Sequence, residues 1–212
     1  MSRVVLSALV LALLAACPKP GTAKQELFPL KAGSEWQYRL VEYTVRGERS
    51  DTTRRASYTV RIEGTAKAQD SSSVVKSAWQ GNETERVNRG SAGIAETSFV
   101  RSGATYYRQG AHALYRYLAL ASPKESILVL PPQAGQKWHS GFLDYVVTGQ
   151  EDVTVEGRRY PGCWRVNYGP KERLFVSAWY APGTGLVRQL DEREVYGGVT
   201  RSDYYLVRTN LK

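Results

Sequence analysis

The chain has 212 residues, of which 42% are hydrophobic and 23% charged, and its formal net charge is +9. This hydrophobic fraction is sufficient for a packed core and excludes a chain that is mainly disordered. The basic residues are scattered, with no run of five, so the charge favours solvated strand faces over a nucleic-acid site. Two cysteines allow one disulfide at most and no disulfide framework, and two histidines 27 positions apart give no ligand cluster at zinc spacing. We expect no metal and no cofactor.

The first 16 residues have the pattern of a signal peptide. Arg3 precedes an apolar run over 4–14, about half of the roughly 20 residues that span a bilayer. Small residues follow, in the order Leu14-Ala15-Ala16-Cys17. A charged start, a short apolar stretch and a small-residue end predict secretion, with cleavage between Ala16 and Cys17. An ordinary secretory signal with a chance cysteine at this point is the alternative.

The segment ending at Cys17 resembles the lipobox of bacterial lipoprotein precursors. The resemblance implies that the Cys17 thiol carries a diacylglycerol and that its new amino group takes an acyl chain such as palmitate. The membrane, reached through this lipid, is therefore the expected partner, and the cell envelope is the expected location. Residue 18 is proline and not the aspartate that retains lipoproteins in the inner membrane of enteric bacteria, which favours the outer membrane.

A tether and one β domain follow the cysteine. Residues 17–26 contain two prolines and no apolar periodicity, which is typical of a flexible linker. From residue 27 to 212, short alternating segments rich in β-branched and aromatic residues predict strands. The predicted strands are 38–45, 57–63, 152–155, 174–180, 186–190 and 204–207, with 111–121 assigned to a strand over a helix. The predicted turns between strands are 46–48, 81–82, 89–90, 156–158 and 197–198.

A short internal echo divides this domain. Proline, glycine and tryptophan recur at the same spacing after 102 residues, as Pro29, Gly33 and Trp36 and then as Pro131, Gly135 and Trp138. Proline favours an extended entry, glycine a tight turn, and tryptophan a buried start to the next strand. The echo predicts two similar β-meander halves, 28–125 and 130–212. The fold class is therefore all-β, with a curved antiparallel sheet or sheets forming a half-open barrel or a sandwich.

The segment Ala181-Pro182-Gly183-Thr184-Gly185 is predicted to be a turn between two strands. A phosphate-binding loop is the functional alternative. The segment lacks the Lys-Ser/Thr ending of a P-loop and the third glycine of a dinucleotide fingerprint. We therefore interpret Pro182, Gly183 and Gly185 as structural residues.

Four segments resemble a group of uncharacterised bacterial lipoproteins and secreted proteins. They are "FPL..G..W.Y" at 28–38, "LP...G..W" at 130–138, a glycine-containing turn with a Cys-x-x-Val strand at 157–166 and "WYAPG.GLV" at 179–187. The resemblance implies a curved antiparallel sheet, similar in some relatives to the half-open barrels of periplasmic lipoprotein carriers, and it implies no catalytic residue. The turn at 160–162 departs from the group's usual pattern.

Catalytic signatures are weak. Cys163 would need a histidine base to act as a nucleophile, and only His112 and His139 exist, so a buried, inert thiol is expected. The carboxylates that a glycosidase would need are better explained as surface charges near turns. We therefore expect a protein that is not an enzyme.

Arginines interleaved with aromatic residues are the remaining signal, as in Tyr106-Tyr107-Arg108 and Tyr115-Arg116-Tyr117. They could stack on sugars or bind an anionic glycan, but packing with the arginines directed outward is favoured. The resulting hypothesis is a lipid-anchored, non-enzymatic envelope module that binds or supports an envelope protein or glycan, with no nucleic-acid partner. A carrier or acceptor of an apolar ligand, such as a lipid or acyl chain, in a curved-sheet cavity is the alternative.

Overall fold

The computed structural model describes residues 26–88, 93–171 and 173–211. Within these residues the protein is all-β, with twelve strands and no helix, which confirms the predicted class. The strands are β1 (Glu35–Arg46), β2 (Arg49–Lys67), β3 (Ser73–Asn88), β4 (Ile94–Gln109), β5 (Ala113–Tyr117), β6 (Glu125–Val129), β7 (Lys137–Ser140), β8 (Leu143–Val155), β9 (Arg158–Gly169), β10 (Val176–Ala181), β11 (Gly185–Val195) and β12 (Gly198–Thr209).

Several predicted features lie outside the described residues. They are the signal peptide, its cleavage site at Ala16 and Cys17, most of the tether, and the turn predicted at 89–90. Across the described ranges, no helix has the length and hydropathy needed to cross a bilayer.

The twelve strands form one antiparallel sheet in the order β6-β5-β4-β3-β2-β1-β12-β11-β10-β9-β8-β7. It consists of two consecutive six-stranded meanders, β1–β6 and β7–β12, joined where β1 pairs with β12. The sheet curls into a nearly closed, barrel-shaped structure, so the barrel and not the sandwich is the correct form of the predicted fold. The two meanders contribute to one main hydrophobic core.

The barrel-shaped sheet closes where its two end strands, β6 and β7, meet. No backbone ladder between β6 and β7 is present in the described chain. Instead, the indole Nε1 of Trp138 donates to the carbonyl oxygen of Ser126 at 2.7 Å, and the amide of Ser126 donates to Oγ of Ser140 at 2.6 Å. We call this junction the seam.

The two echoed segments form matching turns at the starts of β1 and β7. Gly33 has φ = +85° and Gly135 has φ = +81°, a region that only glycine adopts readily. The amide of Gly33 donates to Ile62 in β2 at 2.9 Å, and the amide of Gly135 donates to Val147 in β8 at 2.8 Å. Each turn therefore fixes the first strand of its meander against the second.

Two sequence-based assignments need correction. The turn predicted at 81–82 is wrong, because Gly81 lies within the 16-residue strand β3. Gly81 makes room there for the ring of Tyr58, its partner on β2. The segment 111–121 is a strand only over Ala113–Tyr117, and the chain then turns before Pro123.

The deepest layer of the interior is apolar, and we call it the floor. Its residues are 0–1% exposed and come from both meanders: Trp36, Ile62, Leu114, Leu128, Val147, Val166, Val187 and Leu206. Phe28 stacks on Trp36, with ring centroids 5.5 Å apart, and a Cβ on Gly185 would lie 2.8 Å from the Phe28 ring. The chain entering β1 therefore packs against the turn before β11 to seal the floor.

Candidate functional site

A small cavity lies directly above the floor. It has a volume of about 100 Å³, and six tyrosines from six different strands form half of its lining, together with apolar residues, Arg116 and Gln189. The tyrosines are Tyr38, Tyr107, Tyr145, Tyr168, Tyr180 and Tyr204. Because side chains alternate between the two faces of a strand, each of these residues is placed inward by the period of two.

A wider trough of about 340 Å³ continues from this cavity along the inner face of β2, β3 and β4. The two spaces share Val60, Tyr107 and Tyr204 in their walls. The remaining trough residues are Tyr58, Ser77, Trp79 and Thr105. We call the cavity and the trough together the aromatic cleft.

Two glycines shape the trough. Tyr58 lies opposite Gly81 in the β2–β3 ladder, and Trp79 lies opposite Gly103 in the β3–β4 ladder. A Cβ on Gly81 would overlap the Tyr58 ring, and a Cβ on Gly103 would lie 2.7 Å from the Trp79 ring. Both rings therefore lean across the sheet over a residue with no side chain, and the space above them stays open.

Some tyrosine hydroxyls in the cleft are committed to protein partners. Tyr38 donates to the carbonyl oxygen of Leu186 at 2.9 Å, and Tyr168 donates to Oε1 of Gln189 at 3.0 Å. Six other hydroxyls of the cleft have no hydrogen-bond partner among residues 26–88, 93–171 and 173–211. They are those of Ser77, Thr105, Tyr107, Tyr145, Tyr180 and Tyr204. As whole residues Ser77 is 2% exposed and Tyr180 is 6% exposed, and both line the cleft.

The phenols of the cleft are neutral at physiological pH. Burial raises the pKa of Tyr38, Tyr168, Tyr180 and Tyr204 above the ordinary tyrosine value of about 10. Burial, and then the hydrogen bond to Glu83, raise the pKa of Tyr58 to about 12. Each uncommitted hydroxyl can therefore both donate and accept a hydrogen bond.

The charged groups at the cleft are paired with one another. Arg116 contacts Glu125 through Nη2 at 2.7 Å and Nε at 3.1 Å. Glu83, whose side chain is 1% exposed, accepts hydrogen bonds from Arg54 at 2.5 Å and from the Tyr58 hydroxyl at 2.6 Å. Since each cation has a carboxylate partner, the cleft carries little net charge.

The predicted turn residues lie near the cleft but do not line it. Two segments meet where the Trp36 indole donates to the carbonyl of Thr184 at 2.7 Å. They lead into β1 and β11 and contain Pro29, Gly33, Trp36, Pro182, Gly183 and Gly185. Pro131, Gly135 and Trp138 lie at the seam. None of these nine residues is among those that line the cleft.

The residues of the cleft were not predicted from the sequence, and the outward orientation expected for the Arg116 side chain is wrong. Arg116 does not extend outward but lines the cavity, opposite Tyr107 in the β4–β5 ladder. The available signals were the 14 tyrosines and the glycines Gly81 and Gly103 inside otherwise bulky strands. A glycine inside a strand often marks a site of close approach, here by an aromatic ring.

None of the residues considered for nucleophilic or metal chemistry is among those that line the cleft. Cys163 is buried, and burial raises the pKa of its thiol to about 11, which disfavours the thiolate. His139 and Asp144 form an exposed pair at 2.8 Å. Within the described ranges, no group of three or more His, Cys, Asp or Glu side chains is placed to hold a metal ion.

The chain matches no protein-family model and no curated protein. Among solved structures it is similar to a "putative lipoprotein" from Parabacteroides distasonis, with 11% identity, 87% of this chain and 98% of that chain covered, and a TM-score of 0.28. It is also similar to a DUF1329 family protein from Desulfovibrio piger, with 11% identity, 86% and 88% covered, and a TM-score of 0.21. At these TM-scores neither similarity decides the fold or the function of this chain, which rest on its own residues.

Proposed function

We propose that this protein is a lipid-anchored, non-enzymatic component of the bacterial cell envelope that binds a ligand in its aromatic cleft. The anchor rests on the sequence Leu14-Ala15-Ala16-Cys17, and the binding role rests on the cleft. The observation that carries the binding role is a cavity lined by six tyrosines that opens into a trough, with the Tyr180 hydroxyl in its wall unpartnered in the described chain. Polar groups in protein interiors are almost always hydrogen-bonded, and a ligand in the cleft would supply a partner for this one.

A non-enzymatic role fits the chemistry of the cleft. The carboxylates that contact cleft residues are Glu83, bonded to Tyr58, and Glu125, bonded to Arg116. Each pairs with an arginine, so neither is positioned as one of two cooperating acids. Its tyrosines are held neutral by burial, which makes them hydrogen-bonding groups and poor nucleophiles. What the cleft offers is shape, aromatic surface and neutral polar groups.

The binding role is tested by blocking the trough. In the full chain carrying Cys17→Ser, purified without detergent, Thr105→Phe would fill the trough from β4, where Thr105 lines it. Ser102→Phe is the matched control, because Ser102 is exposed on the same strand and does not line the cleft. Both variants are incubated with an extract of bacterial envelopes and examined by native mass spectrometry. We expect an adduct on the parent and on Ser102→Phe, reduced at least tenfold on Thr105→Phe. Equal adducts on all three proteins, or none on any, would overturn the proposal.

The anchor is tested separately by intact mass and detergent partitioning of the native protein beside Cys17→Ser. We expect a mass gain of several acyl groups at Cys17, lost in the variant together with membrane partitioning, since each buried CH2 contributes about 0.8 kcal/mol. An unmodified, freely soluble native protein would contradict the anchor and leave the binding role to be decided by the first experiment.

A further inference from the structure

We infer that the ligand of the aromatic cleft is a neutral glycan, bound through sugar rings that lie over Tyr58 and Trp79. This inference rests on the proposed binding role and specifies its ligand class. Its basis is the trough along β2, β3 and β4, whose wall contains both aromatic rings and hydroxyl groups that have no hydrogen-bond partner in the described chain.

The aromatic surface of the trough is a built feature. Two inward positions that could carry large side chains, 81 and 103, are glycine, and each lies beneath an aromatic ring from the neighbouring strand. The Tyr58 and Trp79 rings meet edge to face, with centroids 6.2 Å apart, and Tyr204 adds a third ring 5.9 Å from Tyr58. The C–H face of a pyranose ring packs well on such a surface, since aromatic rings supply rigid apolar area with an electron-rich face.

Hydroxyl groups surround these rings. Ser77 and Thr105 lie in the trough wall, and their hydroxyls have no partner in the described part of the chain. The Ser77 residue is 2% exposed and lines the trough, so its hydroxyl lies within the cleft and not on the outer face of the sheet. Sugar hydroxyls both donate and accept hydrogen bonds, as do serine, threonine and neutral tyrosine.

The charge balance favours a neutral glycan over an anionic one. The arginines nearest the cleft, Arg54 and Arg116, are engaged by Glu83 and Glu125. A carboxylate or phosphate on the ligand would compete with these buried carboxylates for the same guanidinium groups. A neutral chain of sugar rings leaves both ion pairs intact.

An acyl chain fits the cleft less well. An acyl chain in the cleft would cover the hydroxyls of Ser77, Thr105 and Tyr180 without bonding to them. Each hydroxyl that is covered and left without a partner costs about 1–3 kcal/mol.

The test uses the full chain carrying Cys17→Ser and four probes: cellotetraose, chitotetraose, tetragalacturonate and palmitate. Binding is followed by tryptophan fluorescence and by calorimetry. Ser77→Ala and Thr105→Val each remove one hydroxyl with little change in shape, and Ser102→Ala is the control on the outer face. Near-UV circular dichroism checks that each variant keeps its fold.

We expect at least one of the neutral tetrasaccharides to bind, and Ser77→Ala and Thr105→Val each to weaken it by about two- to tenfold, the loss typical of one hydrogen bond. Ser102→Ala should leave binding unchanged. If only palmitate binds, or only tetragalacturonate, the glycan inference is wrong while ligand binding stands. If no probe binds and the envelope extract yields no adduct, both the inference and the proposed function are wrong.

Discussion

The ring of Tyr58 occupies the space in which Gly81, its cross-strand partner, would carry a side chain. Trp79 and Gly103 repeat this relationship one strand further along the sheet. In a sheet whose inward positions are mostly filled, these two glycines set the direction of two large rings. They therefore determine both how the inner face packs and how much of it stays open.

Alanine at position 81 or 103 should therefore be costly. Gly81→Ala and Gly103→Ala would force a ring out of its place, and overpacking of this kind costs about 1–3 kcal/mol. Gly64 in β2 is the matched control, because a Cβ there meets nothing within 4 Å. We expect Gly64→Ala to be neutral or to stabilise by about 0.4–1 kcal/mol through the unfolded state. Urea unfolding gives the free energy of unfolding of all three variants. An equal loss of stability in all three would mean that any glycine replaced within a strand is costly, whether or not a ring lies over it.

The same glycines show what the sequence could and could not predict. Alternating β-branched and aromatic residues predicted strands correctly, because that pattern reflects one buried face. A glycine followed by a polar residue, as in Gly81-Asn82, has the signature of a turn, and only the partner strand shows that an aromatic ring lies over it. Pairing between strands distant in sequence is not contained in local composition.

Arg116 illustrates the second limit. Arginine between two tyrosines most often extends into solvent, so the outward position was the better expectation from local sequence. Its inward position depends on Glu125, nine residues later on the neighbouring strand β6, which neutralises its charge inside the cleft. The residues of the cleft are thus defined by the curvature of the whole sheet, whereas the turns that close the floor follow local glycine and proline patterns.

The buried carboxylate of Glu83 should contribute to stability through its hydrogen bonds with Arg54 and Tyr58 and its longer contact with Arg101 at 3.7 Å. Glu83→Gln weakens its hydrogen bonds with Arg54 and Tyr58 and leaves the guanidinium without its main counter-charge. Because Arg54 is about one-quarter exposed, we expect a loss of about 1–3 kcal/mol, below the roughly 3–5 kcal/mol of a fully buried pair. Glu85→Gln removes a longer, more exposed contact to Arg54 at 3.7 Å and should cost at most about 1 kcal/mol. Thermal unfolding compares the two, and equal losses would show that Glu83 has no special role.

The tyrosines of the cleft should make the fold sensitive to alkali. Burial raises the pKa of Tyr38, Tyr168 and Tyr180, and that of Tyr58 to about 12, whereas an unfolded tyrosine ionises near pH 10. The fold thus favours the protonated phenols, so their contribution is fully present below about pH 10 and is lost as pH rises through 12. Absorbance at 295 nm should show a late, cooperative ionisation that coincides with loss of near-UV circular dichroism. Ionisation of all tyrosines in one step near pH 10, with the fold intact, would contradict this.

The exposed pair of His139 and Asp144 should be visible in a histidine titration. The hydrogen bond that Nδ1 of His139 donates to Oδ1 of Asp144, at 2.8 Å, raises the pKa of His139 above its usual value of about 6.5. The pair's contribution to stability is therefore fully present below about pH 6.5 and is lost as pH rises through the raised value. NMR titration of His139 should show its pKa fall in Asp144→Asn. Asp152→Asn is the control, because Asp152 lies on the same strand and pairs with Arg159. An equal fall of the His139 pKa in that variant would mean that the overall negative charge of the region, and not the contact with Asp144, raises it.

The seam between β6 and β7 should be the least stable junction of the sheet. The junction of β6 with β7 is the counterpart of the junction of β12 with β1, because each joins the last strand of one meander to the first strand of the other. β1 and β12, however, are joined by a ladder of ten residue pairs. At the seam, bonds from Trp138 to Ser126 and from Ser126 to Ser140 take the place of that ladder. Amide exchange should therefore be faster in 125–129 and 137–140 than in β1 and β12, because local opening is easiest where few backbone bonds must break.

Trp138→Phe tests the seam directly. Phenylalanine can keep the stacking on Tyr145, now 4.9 Å between ring centroids, but it cannot donate to Ser126. The loss of one hydrogen bond predicts about a two- to tenfold faster exchange on both sides of the seam. Trp36→Phe is the matched control. It removes the bond from Trp36 to Thr184, so its effect should appear at the turn before β11 and not at the seam.

The seam also borders the cavity, because Tyr145 lines it. A looser seam should therefore raise the rate at which ligand leaves the cleft. Unchanged exchange in Trp138→Phe would mean that apolar packing, and not this hydrogen bond, holds the two end strands together.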